Sequence, residues 1–153
     1  MAKSSALTIR QMLFDGWGTR SEVDRQTART DSAAARLLAG GGLEVSVLLF
    51  AKPDTLSPDA AQNYSLAISA GVPINVIDGE DLSSLDSELE PTTPDLVIDS
   101  LLGTGLDRPL GGRLAEVVKR VEAAGMAVVA VDVHTGLSGS SASVPGPVMP
   151  ADL

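Results

Sequence analysis

The sequence predicts an α/β fold with a mostly parallel sheet, and three observations support this prediction. Apolar stretches suited to strands alternate with stretches suited to helices, which is typical of βαβ units with right-handed crossovers. Aromatic residues make up only 3% of the chain, so the core must consist mainly of Ala, Val, Leu and Ile. Two apolar stretches run directly into Asp99 and Asp132 and then into glycine-containing loops. Because ligands bind beyond the carboxyl ends of strands in open α/β sheets, these aspartates indicate a crevice.

Residues 1–30 have the weakest pattern in the chain. Leu13 and Phe14 form a short apolar pair before a predicted turn at residues 15–18. Residues 20–29 are polar and mixed in charge, which fits either a frayed helix or a disordered arm. We interpret Trp17 as a core anchor, with an exposed turn residue as the alternative. The predicted elements therefore begin after residue 30.

A helix and a strand follow this region. Asp31 or Ser32 has a short side-chain oxygen that can cap a helix, and residues 33–39 are strong helix formers. Three consecutive glycines end this helix. Residues 43–50 alternate in polarity and then become wholly apolar, which predicts a strand.

The next predicted helix covers residues 58–70, because Ser57 can cap it and a proline occupies its first position. The strand at residues 72–77 contains Pro73, which favours a sheet edge or a late start because proline lacks an N–H donor. Residues 78–94 are acidic and predict a solvated helix or loop. Binding of a hard cation is the alternative for these carboxylates, although their spacing matches no calcium-binding loop.

The central strand and the last strand lie on either side of a further helix. Residues 96–98 form a short apolar run that predicts a buried strand ending at Asp99. Residues 113–124 carry apolar side chains at helical spacing. Residues 126–131 predict the last clear strand, which ends at Asp132, and a tail rich in Ser, Gly and Pro follows.

Length and composition exclude several classes of function. The 153 residues favour a single domain, and a net charge of −9 argues against nucleic acid and anionic lipid as partners. The absence of cysteine excludes disulfides and thiolate metal sites. No apolar run is long enough to span a membrane, and no signal peptide is evident. A soluble, cytoplasmic protein is therefore expected.

The loop after the central strand has residue types suited to a phosphate. Gly103 and Gly105 let the backbone turn freely and approach a ligand closely. Arg108 adds a planar cationic fork that matches phosphate oxygens. In the alternative reading, Asp99 and Asp132 are structural and cap a loop or the following helix.

Two stretches resemble the NAD(P)H-hydrate epimerases, the YjeF N-terminal domain family. Residues 97–110, VIDSLLGTGLDRPL, are similar to the hallmark of that family. Residues 131–137, VDVHTGL, are similar to its second signature, Val-Asp-Ile-Pro-Ser-Gly-Leu-Asp, with His134 in place of the proline. Residues 35–38 and 42–45 are similar to the family's first helix and second strand.

The resemblance implies a Rossmann-like three-layer sandwich and repair of damaged nicotinamide cofactors, by interconversion of the R and S hydrates of NADH and NADPH. By position, Asp99 and Thr135 would ligate a potassium ion, and Asp132 would be the acid/base candidate. The implied substrate-binding residues are Gly103, Thr104, Gly105, Leu106, Asp107, Arg108, Pro109 and Asp132. The implied partner is this small-molecule substrate, without nucleic acid or membrane, and a homodimer is one possible assembly.

The sequence departs from the family pattern in one loop. The family has Gly-Asn-Asn-Gly-Gly-Asp-Gly before the helix that here contains Arg36, whereas residues 25–31 of this chain have neither glycine nor asparagine. Retention of Asp99, Arg108, Asp132 and a hydroxyl at Thr135 favours an enzyme. The altered loop favours a second hypothesis, a non-catalytic binding or scaffold module on the same fold. A degenerate product that folds poorly is a third.

Overall fold

The computed structural model describes residues 8–13, 39–90, 96–102, 109–131, 133–137 and 146–150. In this part of the chain five strands form one sheet, in which every pairing is parallel. The strands are β1 (Thr8–Leu13), β2 (Glu44–Leu49), β3 (Ile74–Val76), β4 (Leu96–Ser100) and β5 (Val128–Ala130). The helices are α1 (Pro58–Ser69), α2 (Ser83–Glu88) and α3 (Gly112–Ala124), with a 3-10 turn at Pro53–Thr55.

The order of the strands across the sheet is β3-β2-β1-β4-β5. β1 is central, with β2 on one side and β4 on the other. The chain therefore winds outward in both directions from the boundary between β1 and β4. In a doubly wound sheet this boundary opens a crevice at the carboxyl ends of the strands, where ligands bind.

Side chains on the two faces of the sheet form two separate apolar clusters. The larger cluster packs α2 and α3 against one face, and the smaller one includes Ala67 of α1 on the other face. Helices on both sides of a parallel sheet give the three-layer α/β sandwich that the family resemblance implies. The larger cluster contains Met12, Leu48, Phe50, Ile77, Leu82, Leu85, Leu89, Val97, Leu101, Leu110, Leu114, Ala115, Val117, Val118, Val121, Met126, Val128 and Met149.

The central strand is the main correction to the sequence analysis, which placed no strand before residue 43. β1 lies in the region predicted to be irregular, and its Gln11 is fully buried. Arg10 on the opposite face is paired with Glu88 of α2 at 2.8 Å between Nε and Oε2. The sequence pattern did not predict this strand, because Arg10 and Gln11 are polar and their partners lie far away in the sequence. The interpretations of Trp17 and of residues 20–29 fall outside the described residues.

The acidic segment contains α2, and its polar side chains are mostly exposed, which confirms the prediction of a solvated helix. The same segment also contributes to the core, which the sequence analysis did not predict. Leu82, Leu85 and Leu89 are each at most 5% exposed and pack in the larger cluster. Their spacing of three and four places them on one side of the helix. The short α2 therefore covers the sheet with leucines and faces solvent with carboxylates.

The remaining elements agree with the prediction to within a few residues. Ser57 caps α1 by accepting a hydrogen bond from the amide of Ala60. α3 ends at Ala124 and is capped by Gly125, whose φ of 64° is left-handed. β3 is an edge strand, as Pro73 indicated. The helix predicted for residues 33–39 is described only at Ala39, which is helical, and its caps at residues 31 and 32 lie outside the described residues.

One boundary in the central segment differs by a single residue. The strand predicted to end at Asp99 continues to Ser100, so Asp99 lies inside β4. Its neighbours across the sheet are Met12 of β1 and Ala130 of β5. In the described part of the chain, no helix has the length and apolar character that crossing a membrane requires.

Candidate functional site

Asp99 lies one residue before the carboxyl end of β4, beside the boundary with β1. Alternation along the strand puts its side chain on the same face as Val97, under α2 and α3. Only 1% of Asp99 is exposed. A carboxylate so deeply buried is costly unless it is hydrogen-bonded or paired with a cation. The partners of Asp99 therefore decide what it can do.

Thr135 supplies two of the three hydrogen bonds that the Asp99 carboxylate accepts. The Thr135 amide donates to Asp99 Oδ2 at 2.7 Å, and the Thr135 hydroxyl donates to Asp99 Oδ1 at 2.7 Å. The amide of Leu101 donates to Oδ1 at 3.2 Å. The amide of Leu102 donates in turn to the Thr135 hydroxyl at 3.1 Å. This closed set of bonds joins the end of β4 to the loop after β5, and we call Asp99 and Thr135 the buried pair.

Burial raises the pKa of the Asp99 carboxyl, while the hydrogen bonds from Thr135 and Leu101 and the nearby His134 act in the opposite direction and leave a net rise. No Lys or Arg in the described part of the chain forms an ion pair with Asp99. Within the described residues the negative charge of the carboxylate is thus stabilised mainly by hydrogen bonds. A buried group of this kind favours either a proton or a bound cation.

A short segment near the end of the described chain, residues 146–150, packs over the loop that carries Thr135. We call this segment the strap. Its Met149 amide donates to the Thr135 carbonyl at 2.8 Å, and the Met149 side chain is 1% exposed within the larger cluster. Gly146 packs against Leu110, at the start of the segment leading into α3. The strap therefore contacts both the buried pair's loop and the end of the glycine-containing loop.

Comparison with known proteins decides the family of this chain. Residues 32–153 match the model of the family described as YjeF-related protein N-terminus. The chain belongs to this family. The match covers most of the chain and includes both signature stretches found in the sequence.

Two curated relatives are similar to this YjeF-related chain. It is 39% identical over 119 residues to a bifunctional NAD(P)H-hydrate repair enzyme of Thermofilum pendens, covering 78% of this chain and 22% of the relative. It is 40% identical over 107 residues to an NAD(P)H-hydrate epimerase of Rhodopirellula baltica, covering 70% of this chain and 42% of the relative. The chain thus spans less than half the length of either relative.

A solved structure supports the fold. Yeast ynu0 superposes with a TM-score of 0.69 and 17% sequence identity, over 93% of this chain and 60% of the yeast chain. At this identity the likeness concerns the Rossmann-like architecture alone. It agrees with the parallel sheet and with helices on both of its faces.

The residues predicted for the site in this YjeF-related chain fall into two groups. Asp99 and Thr135 are described, and they are in direct contact although 36 positions separate them in the sequence. Pro109 is described and exposed, next to the buried Leu110. The predicted residues Gly103 to Arg108 and Asp132 lie outside the described residues. The chain before position 132 is fixed beside the pair, because the Val131 amide donates to the Asp99 carbonyl at 3.1 Å.

Oxygen ligands of the buried pair fit a hard cation such as potassium in chemical type. A carboxylate has about four lone-pair sites, and hydrogen bonds occupy three of those on Asp99. The Thr135 hydroxyl accepts one hydrogen bond, from Leu102, and keeps a second lone pair. Each residue therefore has an oxygen lone pair left for a cation. Within the described residues no cluster of three or more His, Cys, Asp or Glu forms a conventional metal site.

Sequence reasoning missed two parts of the site region. The strap was read only as part of a tail rich in Ser, Gly and Pro, although Met149 is a single large apolar residue between prolines. Gln11 was not considered, yet its side-chain amide donates to the Ser100 hydroxyl at 3.3 Å on the opposite face from Asp99. A single methionine in a tail rich in Ser, Gly and Pro is a sequence signal that could have indicated a buried contact. Gln11 offered none, because its partner is 89 positions away.

Proposed function

We propose that this chain is an NAD(P)H-hydrate epimerase, an isomerase that interconverts the R and S hydrates of NADH and NADPH. The observation that carries the proposal is the buried Asp99–Thr135 pair at the switch point of the sheet, in a chain of the YjeF-related family. The names of the relatives from Thermofilum pendens and Rhodopirellula baltica support the same activity. The net charge of −9 accords with a small-molecule enzyme of the cytoplasm that needs neither nucleic acid nor membrane.

In this proposal Asp132 is the acid/base group. Inversion at the hydrated ring carbon requires that its C–O bond break and re-form on the other face of the ring. The acid/base group protonates the hydroxyl as it leaves as water and takes a proton back from the water that adds, with no net oxidation or reduction. A carboxylate can serve if it reaches hydrogen-bond distance of that hydroxyl. The Val131 amide donates a hydrogen bond to the Asp99 carbonyl, which holds Val131 at the crevice. This favours the acid/base role for the next residue, Asp132.

The segment from Gly103 to Pro109 binds the phosphates of the substrate in the same proposal. Glycine permits close backbone approach, and Arg108 provides a bidentate donor for phosphate oxygens. Leu101 and Leu102, which precede this segment, donate their amides to Asp99 and Thr135. The buried pair thereby fixes the point from which the phosphate-binding segment begins.

Asp99 and Thr135 would hold potassium through a carboxylate oxygen and the hydroxyl oxygen. When bound, the ion supplies a fixed positive charge at the crevice. The chain's own part is to present both oxygens without water, since each residue is 1% exposed. Both the raised pKa of Asp99 and the lack of a described cationic partner support a cation at this place.

The decisive experiment measures conversion of the R hydrate of NADPH into the S form above the spontaneous rate, in potassium and in sodium. Thr135→Val removes the hydroxyl and should reduce the potassium-dependent rate roughly tenfold or more, whereas Thr135→Ser retains it. Asp132→Asn should reduce the rate about a hundredfold or more while the domain stays folded. Full activity of Asp132→Asn excludes the assigned acid/base role, and no acceleration by folded wild-type protein excludes the enzyme.

A non-catalytic binding module is the second candidate, and the altered residues 25–31 favour it. Such a module would bind the hydrate of NADPH, or a protein partner, without accelerating epimerisation. Calorimetric titration of the hydrate into folded but inactive protein separates these outcomes. The homodimer suggested by the sequence stays a prediction, to be tested by sedimentation.

A further inference from the structure

Thr135 is held in place from two opposite directions. Its amide and hydroxyl donate to Asp99, and its carbonyl accepts the amide of Met149 in the strap. The side chain of Met149 is buried in the larger apolar cluster, so this amide is anchored to the core of the domain. Any displacement of the strap must therefore act on Thr135 through its carbonyl.

Gly136 is the residue that permits this contact. Its φ of 103° lies in the region that side chains rarely adopt, and a Cβ there would overlap the carbonyl oxygen of Pro147. The same Cβ would lie 2.9 Å from the Cα of Val148, which real Cβ atoms essentially never approach so closely. The backbone of the strap thus occupies the space that a side chain would need.

The strap has a second glycine contact, with the segment that enters α3. A Cβ on Gly146 would lie 3.2 Å from the Leu110 carbonyl oxygen and 3.5 Å from the Leu110 nitrogen. A side chain at position 146 would therefore fit after a small shift of Leu110. The strap is therefore enclosed between the Thr135 loop on one side and Leu110 on the other.

We propose that Gly136 is a positioning residue: it lets the strap close onto the Thr135 loop, and the Met149–Thr135 bond then sets the Thr135 hydroxyl against Asp99. This inference rests on the proposed function insofar as the buried pair holds the cation. It adds that the strap is a working part of that site. The consequence is that the positions of the Asp99 carboxylate and the Thr135 hydroxyl depend on residues 146–150, although the hydrogen bonds to these two groups come from other segments.

Amide hydrogen exchange tests this proposal directly on the whole chain. Gly136→Ala should speed exchange at the amides of Met149, Thr135 and Leu102 by about tenfold, because each loses or weakens its hydrogen bond. Gly42→Ala is the matched control. Gly42 has a φ of 82° and no neighbour within 4 Å of its Cβ position, so this change adds backbone strain without a clash. It should leave the three amides unchanged.

The distribution of the effect separates positioning from a local structural role. If Gly136 matters only for its own turn, faster exchange is confined to Leu137, whose amide bonds to the His134 carbonyl. That result, or equal effects from Gly42→Ala, overturns the proposal. If Gly136→Ala does not fold, Gly146→Ala serves instead, and it should change the same amides in the same direction by a smaller factor. No change at Thr135 in that variant also overturns the proposal.

Potassium provides a separate arm that bears on the proposed function. In wild-type protein, replacing sodium by potassium should slow exchange at Thr135, and Gly136→Ala should need about tenfold more potassium for the same protection. If potassium protects neither protein, the cation role of the pair fails. The exchange pattern in sodium alone still decides whether the strap positions Thr135.

Discussion

Glu88 and Asp99 are two carboxylates that tie the same face of the sheet to neighbouring segments, and they do so in different ways. Glu88 accepts from Arg10 Nε at 2.8 Å and from Asn75 Nδ2 at 2.8 Å, so its charge meets a cation. Asp99 accepts three hydrogen bonds from Thr135 and Leu101, and no described cation pairs with it. The Glu88 side chain is 23% exposed, whereas Asp99 is 1% exposed.

This difference distinguishes a structural tie from a candidate site. The charge of Glu88 is neutralised inside the fold, which leaves nothing for a ligand to supply. The charge of Asp99 is buried and, within the described residues, is met by hydrogen bonds and by no ion pair with Lys or Arg, which is the environment in which functional carboxylates are found. Hydrogen-bond satisfaction alone would not separate the two residues, since both are well satisfied. The presence or absence of a cationic partner does separate them.

The largest expected effect is that of Asp99→Ala on stability. The substitution leaves the buried amides of Thr135 and Leu101 without an acceptor, which should lower the free energy of unfolding by about 3 kcal/mol. Urea denaturation of variant and wild type at neutral pH in sodium measures the difference. A loss below about 1 kcal/mol would mean that water or another group replaces the carboxylate readily, and the contrast with Glu88 would disappear.

A smaller effect is expected for Glu88→Gln. This variant keeps an acceptor for Asn75 and removes only the charge opposite Arg10, so it should cost about 1 kcal/mol at low salt. The cost should shrink as salt rises, because the pair is partly exposed. A double-mutant cycle with Arg10→Met isolates the pair. Epimerisation should be unchanged, and a defect in epimerisation would link this tie to the site.

The smallest expected effect is a difference in pH dependence between wild type and Asp99→Asn. Because the folded-state pKa of Asp99 is raised by burial, the folded protein holds that proton more tightly than the unfolded chain does. The stabilisation is complete below the ordinary carboxyl pKa of about 3.9 and is lost as pH rises through the raised value. The free energy of unfolding of wild type relative to Asp99→Asn should therefore fall across that window.

Urea titrations in potassium-free buffer at a series of pH values provide this measurement. The pKa of Asp81, lowered by hydrogen bonds from Ser83, affects both proteins equally and cancels in the difference. A relative stability that rises with pH would contradict the raised pKa. It would indicate that the three hydrogen bonds outweigh burial.

The sequence was sufficient for most of the fold and for part of the site. The strands β2, β3, β4 and β5 and the helices α1 and α3 follow from periodicity and from glycine, proline and serine at their ends. These signals are local and so can be read locally. Asp99 was predicted as a site residue from its position at the end of a strand, whereas Thr135 and its pairing with Asp99 came from resemblance to a family. Nothing in their spacing shows that residues 36 positions apart share hydrogen bonds.

β1 shows the limit of such reading. A strand with Arg10 and Gln11 at its centre lacks the continuous apolar run expected of a buried parallel strand. Arg10 pairs with Glu88, and the Gln11 side-chain NH2 donates to Ser100, at separations of 78 and 89 positions. The strap was not predicted for the same reason, since the contacts of Gly136 with Pro147 and Val148 form only in the folded chain.

The position of β1 in the sheet has a consequence for biosynthesis. The central strand is synthesised before its neighbours, and its partner in β4 lies nearly ninety positions later. Until β4 leaves the ribosome, one whole edge of β1 lacks its backbone partner and is open to association with other chains. Asp99 arrives on this late strand. The buried pair therefore cannot form in a nascent fragment that ends before β4, and a ligand that recognises the pair will bind only to chains in which β4 has joined the sheet.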